Sequence, residues 1–278
     1  MEKYPKLACS DFSDFVDKKH SNGVLTLRLT SWDDFHKVVK IFKRKPAYIW
    51  RGQRCYYKEW TLKSSFDRKF PNVSKRQRKV AEILKKFRQR LRDLPHSVTN
   101  SFSEDEIWAI GQHYGLPTPL LDWTECPYIA AYFAFFKEDR RNQTENRVVY
   151  ALNRAVKRPI LKRKVSKSKK VLSTQRFIEF LDLDRTHDET QNKRLKHQRG
   201  KFTKALNGDD IKANIERLVR KRSCYQGTIL LAEILIPDKL RDECMKFLEY
   251  KNITHGILFP DYAGTVEICK IELGIDKS

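Results

Sequence analysis

The segment YIAAYFAFF (128–136) most constrains what this chain can fold into. It holds nine consecutive apolar residues with no charge. Pro127 precedes it at the position where a helix tolerates proline best. A helix that is apolar on every side must be covered on every side, so the spacing predicts a central core helix rather than a surface one. No apolar run reaches the roughly 18 to 20 residues a membrane-spanning helix needs. At 278 residues the chain can bury about 75% of its unfolded surface. It needs neither disulfides nor a structural metal to hold a core. A hydrophobic content of 40% excludes a wholly disordered chain, and 10 Gly with 10 Pro exclude a collagen-like one.

Other elements follow from periodicity. Residues 31–44 read as a helix, with Ser31 and Asp34 as its N-terminal capping pattern and Phe35, Val38, Val39 and Phe42 as its stripe. AYIWRG (47–52) reads as a buried strand. Residues 74–94 read as an amphipathic helix with basic residues opposite the stripe of Val80, Ile83, Leu84, Phe87, Leu91 and Leu94. Ser103 and Glu106 open a helix that runs to about His113. Strands are expected at 147–153, 228–236 and 255–260, and helices at 209–221, 237–251 and 264–274. The pattern is α+β: a mixed sheet core with a helical N-terminal half and a basic insertion. The expected organisation is a helical extension at 1–46, a core in two parts at 47–152 and 220–278, and the insertion at 153–219 between them. There is no internal repeat and no glycine-rich nucleotide motif.

Charge is the main anomaly. The chain has 57 Lys plus Arg against 35 Asp plus Glu, a net of +22. Residues 153–222 alone hold 22 Lys or Arg and 8 Asp or Glu. Such a field favours polyanions, nucleic acid first, and RNA is the nucleic acid expected as partner. Lys162, Arg163, Lys164, Lys169, Lys170, Arg194, Lys196 and Arg199, in two basic runs, are the candidate phosphate contacts. A basic tract can also serve solubility or meet an acidic protein such as an antitoxin. The six cysteines are scattered without a CxxC pair, so no metal is expected. They read as reduced thiols of a cytoplasmic protein, and the N-terminal MEKYPKLACSDFSDF lacks the apolar stretch of a secretory signal.

Three clusters can carry a site. In WRGQ (50–53), Arg51 ends an apolar strand, where it either grips a phosphate or carboxylate or pairs with a core acid. In 112–136, His113, Asp122, Trp123 and Thr124 precede the central helix. Asp122 or Thr124 can cap that helix, Asp122 can instead face a ligand, and His113 can move a proton or be structural. In 220–236, Gln226–Gly227 leads into a strand that contains Glu233. A carboxylate there is unfavourable unless the strand face is open or a cation holds it. Asp261 and Tyr262 follow Pro260 in an ordinary turn.

Together, WRGQ (50–53), WTLKSSFDR (60–68), HYGLPTPLLDWTECPYIAAYFAF (113–135), the Gln-Gly before a strand and LFPDYAG (258–264) resemble the FRG domain, a family named for its Phe-Arg-Gly motif. Trp50 stands where the family usually has Phe. The resemblance covers roughly 45–136 and 220–270. It implies an effector of bacterial and phage conflict, a toxin or anti-phage protein. The order of an Arg-bearing strand, a helical middle and a late strand with a carboxylate is similar to ADP-ribosyltransferases, although a clear Glu-x-Glu or Ser-Thr-Ser signature is lacking. That similarity implies NAD as substrate. Arg51 would hold its phosphate or ribose with Gln53 and Gln226 nearby, His113 and Tyr114 would line the nicotinamide pocket, and Asp122 or Glu233 would be the acid. The expected function is transfer of ADP-ribose to a nucleic acid. A non-catalytic nucleic-acid-binding module and a metal-independent nuclease are the competing readings.

Overall fold

The computed structural model describes residues 9–43, 48–55, 62–94, 102–137, 145–157, 160–164, 171–175, 177–181, 183, 189–221, 225 and 227–273. In chain order, β1 (Val16–Ser21) and β2 (Val24–Arg28) form an antiparallel hairpin. Its turn is Asn22–Gly23, both at positive φ (51° and 84°), the pairing that two-residue hairpin loops prefer. Strands thus stand inside the N-terminal stretch expected to be helical. Helix α1 (Trp32–Lys43) follows. Its Asp34 carboxylate accepts from the Thr30 and Ser31 amides, and those bonds pull its pKa down to about 2 against the opposing effect of burial.

Next come β3 (Tyr48–Gln53), α2 (Ser65–Lys69), α3 (Val73–Arg92), α4 (Glu104–His113), β4 (Leu120–Thr124) and α5 (Pro127–Phe135). Ser103 and Glu106 close the expected capping box on α4. Then follow β5 (Asn146–Asn153), β6 (Ile160–Lys164), β7 (Val171–Gln175), β8 (Ile178–Leu181), α6 (Glu189–Gln198), β9 (Gly200–Ala205) and α7 (Ile211–Lys221). The chain closes with β10 (Leu231–Pro237), α8 (Arg241–Tyr250), α9 (His255–Leu258) and α10 (Tyr262–Glu272). Among the described residues no helix is long and apolar enough to cross a membrane.

Eight strands form one mixed sheet in the order β1-β2-β10-β5-β3-β4-β9-β8, with β2 and β10 parallel and the other pairs antiparallel. β6 and β7 pair separately. β8, β9 and α7 belong to the basic stretch, so part of that stretch is built into the sheet and its core. One face of the sheet carries α1, α5 and α8 through Phe35, Trp50, Ala130, Phe135, Ala232 and Leu248. The other face carries α7 through Ile211, Ile215 and Leu218. A third cluster joins α3 and α4 to β4 and β9 through Leu84, Trp108, Leu120 and Phe202.

The central helix is seated as its composition demands. Ile129, Ala130, Ala131, Tyr132, Ala134 and Phe135 are all buried. Its C-terminal carbonyls, which a helix leaves without partners, accept from two arginines. Arg147, 1% exposed, donates to Ala134 O at 3.1 Å and Lys137 O at 2.9 Å, and Arg241 donates to Phe135 O at 3.0 Å. Arg147 is itself neutralised by Asp238 at 2.5 Å.

The expected strand at 255–260 is instead the short helix α9. His255 and Leu258 are buried, while Gly256 and Ile257 face outward. That i, i+3 burial satisfies a helical turn and defeats strand alternation.

Candidate functional site

The sheet is nearly divided in two. β3 pairs along its length with β5, and β4 pairs along its length with β9. β3 and β4 meet only at Trp50 opposite Thr124. Beyond that pair the strands carry Arg51 and Asp122 without a ladder between them. A cavity of about 390 Å³ opens there, within the size range of small-molecule sites. Its walls include Arg51, Gln53, Arg54, Gln112, His113, Asp122 and Arg194, with Trp50, Trp123, Phe133, Phe202 and Phe259.

Arg51 spans the division. Its Nη1 donates to the Asp122 carbonyl at 2.7 Å and lies 4.0 Å from the Asp122 carboxylate. Its Nε is buried with no hydrogen-bond partner among the described residues. Burial lowers the pKa of the guanidinium, opposed by Asp122. Asp122 is the one exposed residue of a strand buried on either side of it. The side chain keeps 62% of its accessible surface and lines the cleft. Crowding by the walls raises the carboxyl above its ordinary range, opposed by Arg51 and by Gln112. Gln112 Nε2 donates to Asp122 Oδ1 at 2.5 Å, and the Thr118 hydroxyl donates to Gln112 in turn. Thr118 is fully buried and tied to Ser65 through its amide at 3.1 Å. A chain of hydrogen bonds from the core therefore sets where the carboxylate points. The capping role open to Asp122 is not taken: the N-cap of α5 is Cys126, without a side-chain cap, and it is Thr124 Oγ1 that accepts from the Cys126 amide.

The opposite wall comes from distant sequence. Arg194 on α6 makes a two-pronged pair with Asp261, one arm at 2.8 Å, and lies 4.9 Å over the Phe259 ring. Gln198 donates to Leu258 O at 2.9 Å and accepts from Thr124 Oγ1 through its own carbonyl at 2.7 Å. Asp261 also accepts from Gly264 N at 2.8 Å. The Arg194 bonds, opposed by burial and assisted by Gly264 and the His113 charge, hold its carboxyl below the ordinary 3.8. A depressed pKa contributes stability that is present above the unfolded value and lost as pH falls through the folded one. Asp261→Asn is accordingly expected to cost about 2 to 3 kcal/mol at neutral pH. The gap from the wild type should shrink as pH falls below the ordinary 3.8 and through the depressed value of Asp261. Urea unfolding at the two pH values checks it.

Of the residues singled out from sequence, Arg51, Gln53, His113, Asp122 and Arg194 converge on this cleft. Tyr114, 67% exposed, packs edge-on to His113 and is not among the cleft residues. Glu233 is elsewhere. It lies in register with Tyr150, which is in register with Arg51, so it sits two strands away, roughly 10 Å. There it is 3% exposed and accepts from Lys212 Nζ at 2.9 and 3.0 Å and from Thr26 at 3.1 Å. The cation that makes a buried carboxylate tolerable comes from α7, not from Arg51. Lys196 and Arg199 are exposed. Lys162, Arg163 and Lys164 lie in β6. Gln226, Lys169 and Lys170, with Trp60 of the tryptophan–leucine stretch, lie outside the described residues.

Gln112, Arg54 and Gln198 were not singled out by sequence reasoning, and Asp261 was read only as an ordinary turn residue. Gln112 had one available signal, its place one residue before His113 in the most distinctive block. Among the described residues no group of three or more His, Cys, Asp or Glu side chains is placed to hold a metal ion.

Residues 46–143 match the family model of the FRG domain. That range contributes Arg51, Gln112, His113 and Asp122. Arg194, Gln198, Phe202 and Phe259 lie beyond it and complete the cavity. No curated protein and no solved structure matches the chain.

Proposed function

We propose, with residues 46–143 as an FRG domain, that the cleft binds NAD and transfers its ADP-ribose to a nucleic acid, with RNA as the acceptor. The observation that carries this reading is the partly unsatisfied Arg51 set against the Asp122 carboxylate, in a cavity walled by aromatic rings. Arg51 and Arg54 suit a pyrophosphate, since guanidinium groups bind phosphate oxygens in pairs. The flat rings of the wall suit nicotinamide and adenine.

The reaction breaks the bond between ribose C1′ and the nicotinamide nitrogen. Its electron pair leaves with nicotinamide and neutralises the pyridinium. The ribose is left with oxocarbenium character, and a nucleophilic nitrogen or oxygen of the acceptor closes on C1′ and gives up its proton. Asp122, fixed by Gln112, supplies negative charge beside the developing cation. A charge held in place before the reaction acts more strongly than one that must reorient during it. His113 is near enough to the cleft to take the acceptor's proton. The overall positive charge draws a polyanionic acceptor. The family resemblance adds the role of a toxin or anti-phage effector, restrained by an acidic partner protein.

The chemistry needs Asp122 ionised, and its carboxyl is raised above 3.8. NAD turnover should therefore fall on acidification at a pH above the ordinary aspartate range. Asp122→Asn should remove that acid limb and lower kcat about 100-fold, the usual scale for one electrostatic group. Nicotinamide release at saturating NAD, followed across pH, measures both. A full rate in Asp122→Asn would remove the carboxylate from the mechanism.

A further inference from the structure

Helix α3 carries a charged face that the cleft does not use. Nine of its twenty residues are Lys or Arg and one is Glu. Val80, Ile83, Leu84, Phe87 and Leu91 pack inward with Ile107 and Trp108 of α4. Lys75, Arg78, Lys85, Lys86, Arg90 and Arg92 are exposed. At helical spacing they fall within an arc of about 160° opposite the buried stripe and extend over about 26 Å. Glu82 pairs with Lys86 at 3.1 Å, and Asp93 lies 3.8 Å from Arg90. Among the described residues, Lys75, Arg78, Lys85 and Arg92 have no acidic side chain within ion-pair distance.

Like charges one turn apart, Lys75 with Lys79 and Lys86 with Arg90, repel along the helix. An anion that spans several turns relieves that repulsion. The positions among the cations are polar, Glu82 and Gln89, so the face lacks the buried apolar anchor that protein partners grip. A phosphate backbone needs no such anchor, only cations at steady spacing. The helix also backs α4, the element that brings Gln112 and His113 to the cleft.

We infer that the outward face of α3 is the docking surface for the backbone of single-stranded RNA, the choice of RNA resting on the function proposed above. The strand is held by phosphate contacts, which carry no sequence information.

The test measures anisotropy of a fluorescent single-stranded RNA of about 20 nucleotides, without NAD, from about 0.05 to 0.3 M salt. The variant carries Lys75→Gln, Arg78→Gln, Lys85→Gln and Arg92→Gln, all good helix formers. The control carries Lys40→Gln, Lys43→Gln, Lys246→Gln and Lys270→Gln, four exposed cations on other helices. The α3 variant is expected to lose about 3 from the magnitude of the salt slope, at about 0.7 per single-strand phosphate, and tenfold or more in affinity at 0.1 M salt. The control should keep both nearly unchanged, and melting curves should coincide. Equal loss in variant and control, or loss in neither, would overturn the proposal. So would a polyglutamate probe that binds as tightly as RNA and is lost in the same variant, which would make the face a site for acidic protein. RNA-independent NAD turnover should be intact in the α3 variant. A protein that binds RNA through α3 but never consumes NAD would sink the enzymatic reading alone.

Discussion

Gly52→Ala is expected to destabilise the fold by about 3 kcal/mol or more, the upper range of overpacking effects. A Cβ at this position would lie 1.8 Å from Ala130 O and 2.6 Å from Ala134 N. Both atoms are backbone of α5, so no side chain can rotate away. The helix would have to lift off the sheet, where it packs on β3 and on the neighbouring β5 and β4, and it also packs against α8. The Gly of the Arg-Gly pair therefore sets how closely the central helix approaches the strand that holds Arg51. Thermal melting should fall by about 5 °C or more. Gly256→Ala, where a Cβ would meet nothing within 4 Å, should change little. A Gly52→Ala protein that melts with the wild type would mean that α5 is not seated on β3 in this way.

Arg51→Ala is expected to lower kcat/KM for NAD by about 10²- to 10³-fold, the cost of removing one preorganised charge from such a site. Arg51→Lys should recover little of it, because a lysine keeps the charge but cannot bind two phosphate oxygens in a planar fork. Stability should fall by only about 1 to 2 kcal/mol, for the lost bond to the Asp122 carbonyl. Glu233→Gln provides the contrast. It leaves Lys212 without its carboxylate and should lower stability while folded molecules keep their turnover. Steady-state kinetics beside urea unfolding separates the two. Full activity in Arg51→Ala, or a Glu233→Gln enzyme dead while folded, would reverse the assignment.

Most helices were legible because a 3.6-residue stripe is a local signal. The stripe of α1, the capping box of α4 and the all-apolar α5 all sit in contiguous sequence. β1 was missed because VDKKHS has no apolar alternation, although the following Asn-Gly marked a hairpin. β4 was missed because Leu120, Leu121, Trp123 and Thr124 are buried on both faces, which removes the alternation that identifies a strand. β9, GKFTKA, read as part of a solvated basic tract, yet it pairs with β4 and β8. Its lysines conceal the buried Phe202 and Thr203.

The site was legible one wall at a time. Arg51, His113 and Asp122 attracted notice because each is polar within an apolar context. Nothing local shows that β3 and β4 part after a single pair, and that parting is what joins the three residues in a cavity. Glu233 attracted notice for the same reason as Asp122. Its partner Lys212 is on a helix whose packing onto the sheet is a tertiary fact. Asp261 looked like an ordinary turn aspartate until α6 brought Arg194 against it.

The central claim is that the cleft uses NAD to modify RNA. The most direct measurement incubates the protein with NAD labelled in its ADP-ribose part and with RNA, and compares the wild type with Arg51→Ala. Label is expected on RNA with released nicotinamide in equal amount, and both should fall by about 10²-fold or more in the variant. No label on RNA together with no nicotinamide release, from a folded wild-type protein, would contradict it.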